Sequence, residues 1–134
     1  MLTKQDLENF YNKDQFSQYV GIELLEASAG KAKARMEIKD HHLNSMGTVH
    51  GAALFALADL VFAVASNSHG NIAMAINAHI SFMQAAKKGI LIATGREISL
   101  NPRLASYKID IANEHGELIA TFQGMVYRKK ETHR

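Results

Sequence analysis

The sequence predicts an α+β domain: a curled antiparallel sheet of five to six strands wrapped around one long central helix, with a further helix at the N-terminus. Three observations carry this expectation. Residues 51–65 are apolar on every face except at Asp59 and are long enough for about four helical turns, as expected of a helix buried on nearly all sides. Residues 31–39 alternate strictly, apolar at each even position and charged at each odd one, which describes a strand with one wet face. Four apolar-rich stretches follow the helix, at 72–82, 89–100, 104–113 and 117–127, and their separators are too short for parallel crossovers.

Taken in order, Thr3 is placed to cap a first helix running to about Lys13, with Asp6 three residues on in a capping-box position and Leu7, Phe10 and Tyr11 on one face. A short turn or second helical piece covers 14–19. Residues 21–28 form the hairpin partner of 31–39, turning near Gly30. The central helix begins at Gly51 and stops near residues 67–70, with Gly70 as its C-cap. The later strands are separated by 85–88, 101–103 and 114–116, so successive strands are expected to be antiparallel neighbours. Six such strands bury the helix only by curling around it. No internal repeat or low-complexity segment is present.

The 134 residues suit a single domain, 1–134, large enough to bury roughly two-thirds of its unfolded surface. With 15 basic and 13 acidic residues the formal charge is +2, too small and too scattered for a nucleic-acid partner. The one basic cluster, Arg128-Lys129-Lys130, reads as part of a solvated C-terminal tail. The absence of cysteine excludes disulfides, thiolate metal sites and cysteine nucleophiles. The N-terminus lacks the apolar core of a signal peptide, so a cytoplasmic location is expected. Residues 49–65 are too short to span a bilayer, and Asp59 at its centre would cost about 3 kcal/mol, so no membrane association is expected.

Asp59 is the only charged side chain between Gly51 and His69. A buried, unpaired carboxylate costs several kcal/mol, so its presence there suggests a task. Just upstream, the polar cluster Asn44-Ser45-Met46-Gly47-Thr48-Val49-His50-Gly51 ends where the helix should begin.

The pattern Asn44-x-x-Gly47-x-x-His50-Gly51, followed by Leu54-Phe55-Ala56-Leu57-Ala58-Asp59 and Ala65-Ser66-Asn67-Ser68-His69-Gly70, resembles the PaaI-type acyl-CoA thioesterases of the hot-dog superfamily. The likeness covers most of the chain. It is sharpest in the spacing of seven from Asn44 to Gly51 and eight from Gly51 to Asp59. The resemblance implies a hot-dog fold, dimers often paired into tetramers, and a thioester of coenzyme A as substrate. No separate cofactor is implied, because coenzyme A is part of the substrate. It assigns Asp59 as the acid that activates water or attacks the carbonyl, Gly51 as the helix N-terminal residue whose N–H polarises that carbonyl, and Asn44 as the side chain that orients it. His50 takes a structural or supporting role. Two departures are Ala52, where many relatives have glycine, and Ala75, where some carry a water-positioning serine.

These residue types suit the chemistry. Thioester hydrolysis develops negative charge on the carbonyl oxygen, and unpaired N–H groups at a helix N-terminus are already oriented to receive it. A glycine there removes the side chain that would keep an acyl group from the backbone. A poorly solvated carboxylate is a stronger base or nucleophile than the same group in water.

Each residue also has a plainer reading. Gly51 serves tight helix packing, Asp59 a buried structural ion pair or a helix-interior hydrogen bond, Asn44 a turn. Lys87, Lys88 and Arg103 either meet the phosphates of coenzyme A or are ordinary loop charges. His41 and His42 lack further ligands at useful spacing, so no metal site is expected. Asn77 and His79 either line a cleft or face solvent. Two other functions compete. A hot-dog dehydratase or hydratase needs a histidine working with an acid, and here the acid follows His50 by nine residues, which disfavours it. A non-catalytic acyl-CoA-sensing protein would be expected to carry a DNA-binding segment, which this sequence does not show.

Overall fold

In the computed structural model, which describes residues 1–133, the chain runs α1 (Lys4–Asn12), α2 (Gln15–Val20), β1 (Ile22–Ser28), β2 (Lys31–Glu37), a 3-10 turn (Asp40–His42), α3 (Gly51–Asn67), β3 (Asn71–Phe82), β4 (Ile90–Leu100), β5 (Leu104–Ala112) and β6 (Leu118–Thr132). The capping box at α1 forms as read: Thr3 Oγ1 accepts from the Asp6 N–H at 3.1 Å, and Asp6 Oδ2 accepts from the Thr3 N–H at 2.9 Å. Asp14 caps α2 in the same way, accepting from the Ser17 N–H at 2.9 Å. The β1–β2 hairpin pairs Ile22 with Met36 and Ser28 with Lys31.

All six strands are antiparallel, in the order β1-β2-β4-β5-β6-β3. The expectation that successive strands are neighbours therefore holds at three junctions and fails at the β3–β4 junction. There β3 pairs with β6 while β4 pairs with β2. The curl explains how so short a connection suffices. It brings the end of the outermost strand back past the start of α3, where the Val49 N–H donates to the Ala86 carbonyl and the Ile38 N–H to the Gly89 carbonyl.

The core lies between the concave sheet face and α3. Cross-strand rows such as Ala34–Ala93–Ile111–Ala120 and Ala32–Gly95–Ile109–Phe122 mix small residues on β2 and β4 with isoleucines on β5 and a small and a large residue on β6. The small residues let the helix sit close. A Cβ built on Gly95 would lie 2.5 Å from Val61 Cγ1, and one on Gly124 would lie 2.7 Å from Phe62 Cζ. Leu57, Val61, Val64 and Ala65 of α3 are fully buried.

Three expectations need correction. The helix is not enclosed on nearly all sides: one sheet leaves a lengthwise strip open, with Ala52 and Asp59 exposed and Ala56 and Ala63 half-buried. The helix ends on Ser68, whose N–H reaches the Ala65 carbonyl, and Gly70, at φ +100°, instead turns the chain into β3. Arg128, Lys129 and Lys130 are not a tail but part of β6, because β3 is long enough to pair Ala73 with Arg128 and Asn71 with Thr132.

At the sheet edge β3 is twelve residues long, and it carries no charged side chain apart from the titratable His79. Met74, Ile76 and Phe82 on it are each more than half exposed. Among the described residues no helix is long and apolar enough to cross a membrane.

Candidate active site

The loop before α3 is organised by one side chain. Asn44 Oδ1 accepts from the Met46 N–H at 2.9 Å, the Thr48 N–H at 3.2 Å and the Thr48 hydroxyl at 3.3 Å. The Asn44 N–H donates to the Thr48 carbonyl, and the Gly47 N–H donates back to the Asn44 carbonyl. Gly47 adopts φ +75°, a left-handed turn position that glycine fills without strain. With its oxygen committed three times, the Asn44 amide has only its NH2 group left to offer, and that group has no partner among the described residues.

His50 is the N-cap of α3. Its Nδ1 accepts from the Ala52 N–H at 3.0 Å, which places the proton of the neutral ring on Nε2. Its carbonyl accepts from Ala53 and Leu54, so these first-turn donors are satisfied. The Gly51 N–H is the exception and has no partner among the described residues. Asn44 and Gly51 line one cavity of 390 Å³, together with Leu54, Phe82, Met83 and Gln84. An anion-seeking pair of donors thus faces a common space.

The reason for glycine at position 51 is more specific than an open approach. A Cβ there would stand 3.0 Å from Cζ of Phe82, so the missing side chain admits the Phe82 ring. Phe82, Met83 and Gln84 were not among the sequence candidates. The strand leading to them is apolar throughout 72–76 and alternates from 77 to 82, and nothing in that pattern marks 82–84 as site residues.

Asp59 does not line this cavity. It follows Gly51 by two helical turns, about 12 Å along the axis at 1.5 Å per residue. Contrary to the sequence expectation it is exposed in the single chain, on the open strip of α3. Its carboxylate has no hydrogen bond and no ion-pair partner among the described residues. Crowding by surrounding protein atoms still raises its pKa above the ordinary carboxylate value, with a smaller push from Asp14.

The cations separate. Lys87 and Lys88 are exposed and follow Ala85 and Ala86, which line the Asn44–Gly51 cavity. Arg103 lies beyond the far end of β4, roughly 30 Å away along the strand. Its guanidinium donates to the Arg128 carbonyl at 2.6 Å. His42 is buried, with Nδ1 accepting from the Lys39 N–H and Nε2 bonded to the Val20 carbonyl at 2.6 Å, so the ring pins α2 to the 3-10 turn. Asn77 and His79 are exposed on β3, as is Ala75, which pairs with Val126.

The thioesterase-superfamily profile matches residues 46–120, which begin in the Asn44 loop and take in all of α3. This chain belongs to the thioesterase superfamily. Among its superfamily relatives, acyl-coenzyme A thioesterase PaaI of Escherichia coli is 31% identical over 125 residues, covering 92% of this chain and 89% of the relative. The solved structure of the E. coli PaaI protein superposes with a TM-score of 0.92 over 96% of this chain and 94% of that one. Phenylacetic acid degradation protein PaaI of Thermus thermophilus, 34% identical, superposes with a TM-score of 0.83 over 87% of this chain and all of its own. The fold of this superfamily member is the hot-dog fold: a curled six-stranded antiparallel sheet around one long helix.

Proposed function

We propose that this chain hydrolyses acyl-CoA thioesters to the free acid and coenzyme A, in a site built by two copies of the chain. The observation that carries the proposal is the pairing of unpartnered groups on α3 and the loop that leads into it. Among the described residues the Gly51 N–H and the Asn44 NH2 are donors without acceptors, and Asp59 is an acid without a donor, two turns along the helix from Gly51. Superfamily membership and the PaaI relative support the substrate class.

In this reading the thioester carbonyl lies against the Gly51 N–H with the Asn44 amide on the same oxygen. Both donors strengthen as negative charge develops there. Asp59, its pKa raised by the crowding of protein atoms and with no partner among the described residues, either takes a proton from the attacking water or attacks the carbonyl carbon itself. The tetrahedral intermediate collapses with cleavage of the C–S bond, and the thiolate of coenzyme A leaves and takes up a proton. If Asp59 was the nucleophile, water then hydrolyses the acyl-aspartate anhydride. Lys87 and Lys88, at the rim of the cavity, meet the phosphates of coenzyme A. Arg103 would do so only from another copy.

The reacting carbon must lie within roughly 3–4 Å of both the donors and the attacking group, which a single chain does not allow across about 12 Å. A two-fold partner supplies the missing acid, and the exposed apolar edge of β3 with the open strip of α3 gives it a surface to meet.

The test is release of thiol from acyl-CoA by wild type and by Asp59→Asn. The variant should lose a factor of about 100 or more in kcat while still binding the ester. Retention of more than about a tenth of wild-type turnover would remove Asp59 from the mechanism. Tight acyl-CoA binding with no turnover in wild type would instead identify a sensing protein.

A further inference from the structure

We propose that Met83 is a site of oxidative control, at which the sulfoxide oxygen takes the place of the thioester carbonyl against the Gly51 N–H and the Asn44 amide. This rests on the thioesterase reading above and adds a means of switching that same site off.

Three observations converge on this side chain. Met83 lines the 390 Å³ cavity together with Asn44 and Gly51, whose donors lack acceptors among the described residues. Its backbone is fixed, because its N–H donates to the Ile119 carbonyl at 2.8 Å and the preceding Phe82 ring lies over Gly51. Its side chain is 54% exposed, and methionine has three rotatable bonds with which to reach a neighbouring group.

The sequence narrows the chemistry. The chain has six methionines and no cysteine, so an oxidant that acts on sulfur acts on a thioether. Met36 is sealed in the core. Met1, Met46 and Met74 are exposed and Met125 is half-buried, but none of these lines the cavity. Met83 is the methionine that meets the donors.

The step is a two-electron oxidation by a peroxide. A sulfur lone pair attacks one oxygen of hydrogen peroxide, so that an S–O bond forms and the O–O bond breaks. The departing hydroxide takes the proton of the new S–OH group and leaves as water. Sulfur is oxidised to the sulfoxide and the peroxide is reduced. A thioether sulfur is a weak acceptor, whereas the sulfoxide is polar and ends in an oxygen. Donors left without a partner favour any acceptor that reaches them. The oxidised side chain therefore competes with the thioester carbonyl from within the protein. A competitor that substrate displaces raises KM and leaves kcat largely as it was.

The experiment follows hydrolysis of acetyl-, hexanoyl- and phenylacetyl-CoA by wild type, Met83→Leu, Met83→Gln and Met46→Leu. Each is measured before and after hydrogen peroxide, which is removed before the assay, with peptide mass mapping and thermal melting alongside. Peroxide should add one oxygen at Met83 and raise the wild-type KM about tenfold, the factor that one net hydrogen bond is worth. The two methionine sulfoxide reductases, one for each epimer, should restore it. Met83→Leu, close in volume, should keep its own untreated KM through the treatment, and Met46→Leu should respond as wild type does. Met83→Gln, which carries a carbonyl acceptor on a side chain of similar length, should show the raised KM without peroxide. Oxygen added at Met46 but not at Met83, or an oxidised Met83 with an unchanged KM, would overturn the proposal. So would a Met83→Gln variant that matches Met83→Leu. A fall in kcat with a lowered melting point would overturn it in favour of lost packing. Untreated wild type that hydrolyses none of the three esters would instead overturn the reading on which the proposal rests.

Discussion

Asp59 combines two properties that pull in opposite directions, since it is accessible in the single chain yet has a raised pKa. Raising the folded-state value of an acid means that the folded chain holds its proton more tightly than the unfolded chain does. The contribution to stability is then complete below the unfolded value and is lost as the pH rises through the folded one. At pH 7 the ionised Asp59 is therefore a cost. Asp59→Asn should melt higher than wild type at pH 7, and the gain should shrink as the pH falls toward about 3, where both chains carry a neutral side chain. A variant that melts lower at pH 7 would show that the carboxylate gains a stabilising partner in solution. The same shift should appear in kinetics. Hydrolysis by wild type should fall on the acid side with a midpoint above the ordinary carboxylate value of about 4.

Among the elements, α3 is positioned by what the sheet leaves out. Gly95 and Gly124 face Val61 and Phe62 with no room for a Cβ, and Val61 sits among rigid neighbours, since Ile109 is only 2.9 Å from the same built Cβ. Gly95→Ala should destabilise the chain by about 1–3 kcal/mol through overpacking, measured by denaturant unfolding. An unchanged midpoint would mean that the helix is free to move off the sheet. Much of this arrangement is legible in the sequence. The alternation of 31–39 gives β2, the Thr3–Asp6 pair gives α1, and the apolar run starting at Gly51 gives α3. What is not legible is the departure from sequential pairing, because β3 and β4 are joined by a link as short as a hairpin would use. Only the three-dimensional curl, which brings distant sheet edges near the start of α3, makes that link sufficient. At the site, the spacing from Asn44 to Gly51 locates the donors. The ring of Phe82 against Gly51 is a contact between distant segments and leaves no local signal.

For the whole molecule, the exposure of Asp59 that corrects the sequence reading of a single chain is what a shared site requires. A carboxylate sealed inside its own core could not reach a thioester held by another chain. The open strip of α3 and the long apolar β3 edge are the surfaces that one chain leaves uncovered. If a two-fold axis relates the two copies, each dimer has two sites, each with Asn44 and Gly51 from one chain and Asp59 from the other. Asn44→Ala and Asp59→Ala, each as a pure protein, should both be nearly inactive. Mixed by co-refolding, the two variants pair at random, so about half the dimers contain one chain of each kind. Such a dimer has one intact site, because the undamaged Asn44 and the undamaged Asp59 face each other, and one site damaged twice. Activity should return to about a quarter of the wild-type value. A pull-down with a tag on one variant establishes whether the chains exchange. Exchange without recovery would place the whole of each site within one chain, and would require α3 to bend or the substrate to bridge the two turns between Gly51 and Asp59.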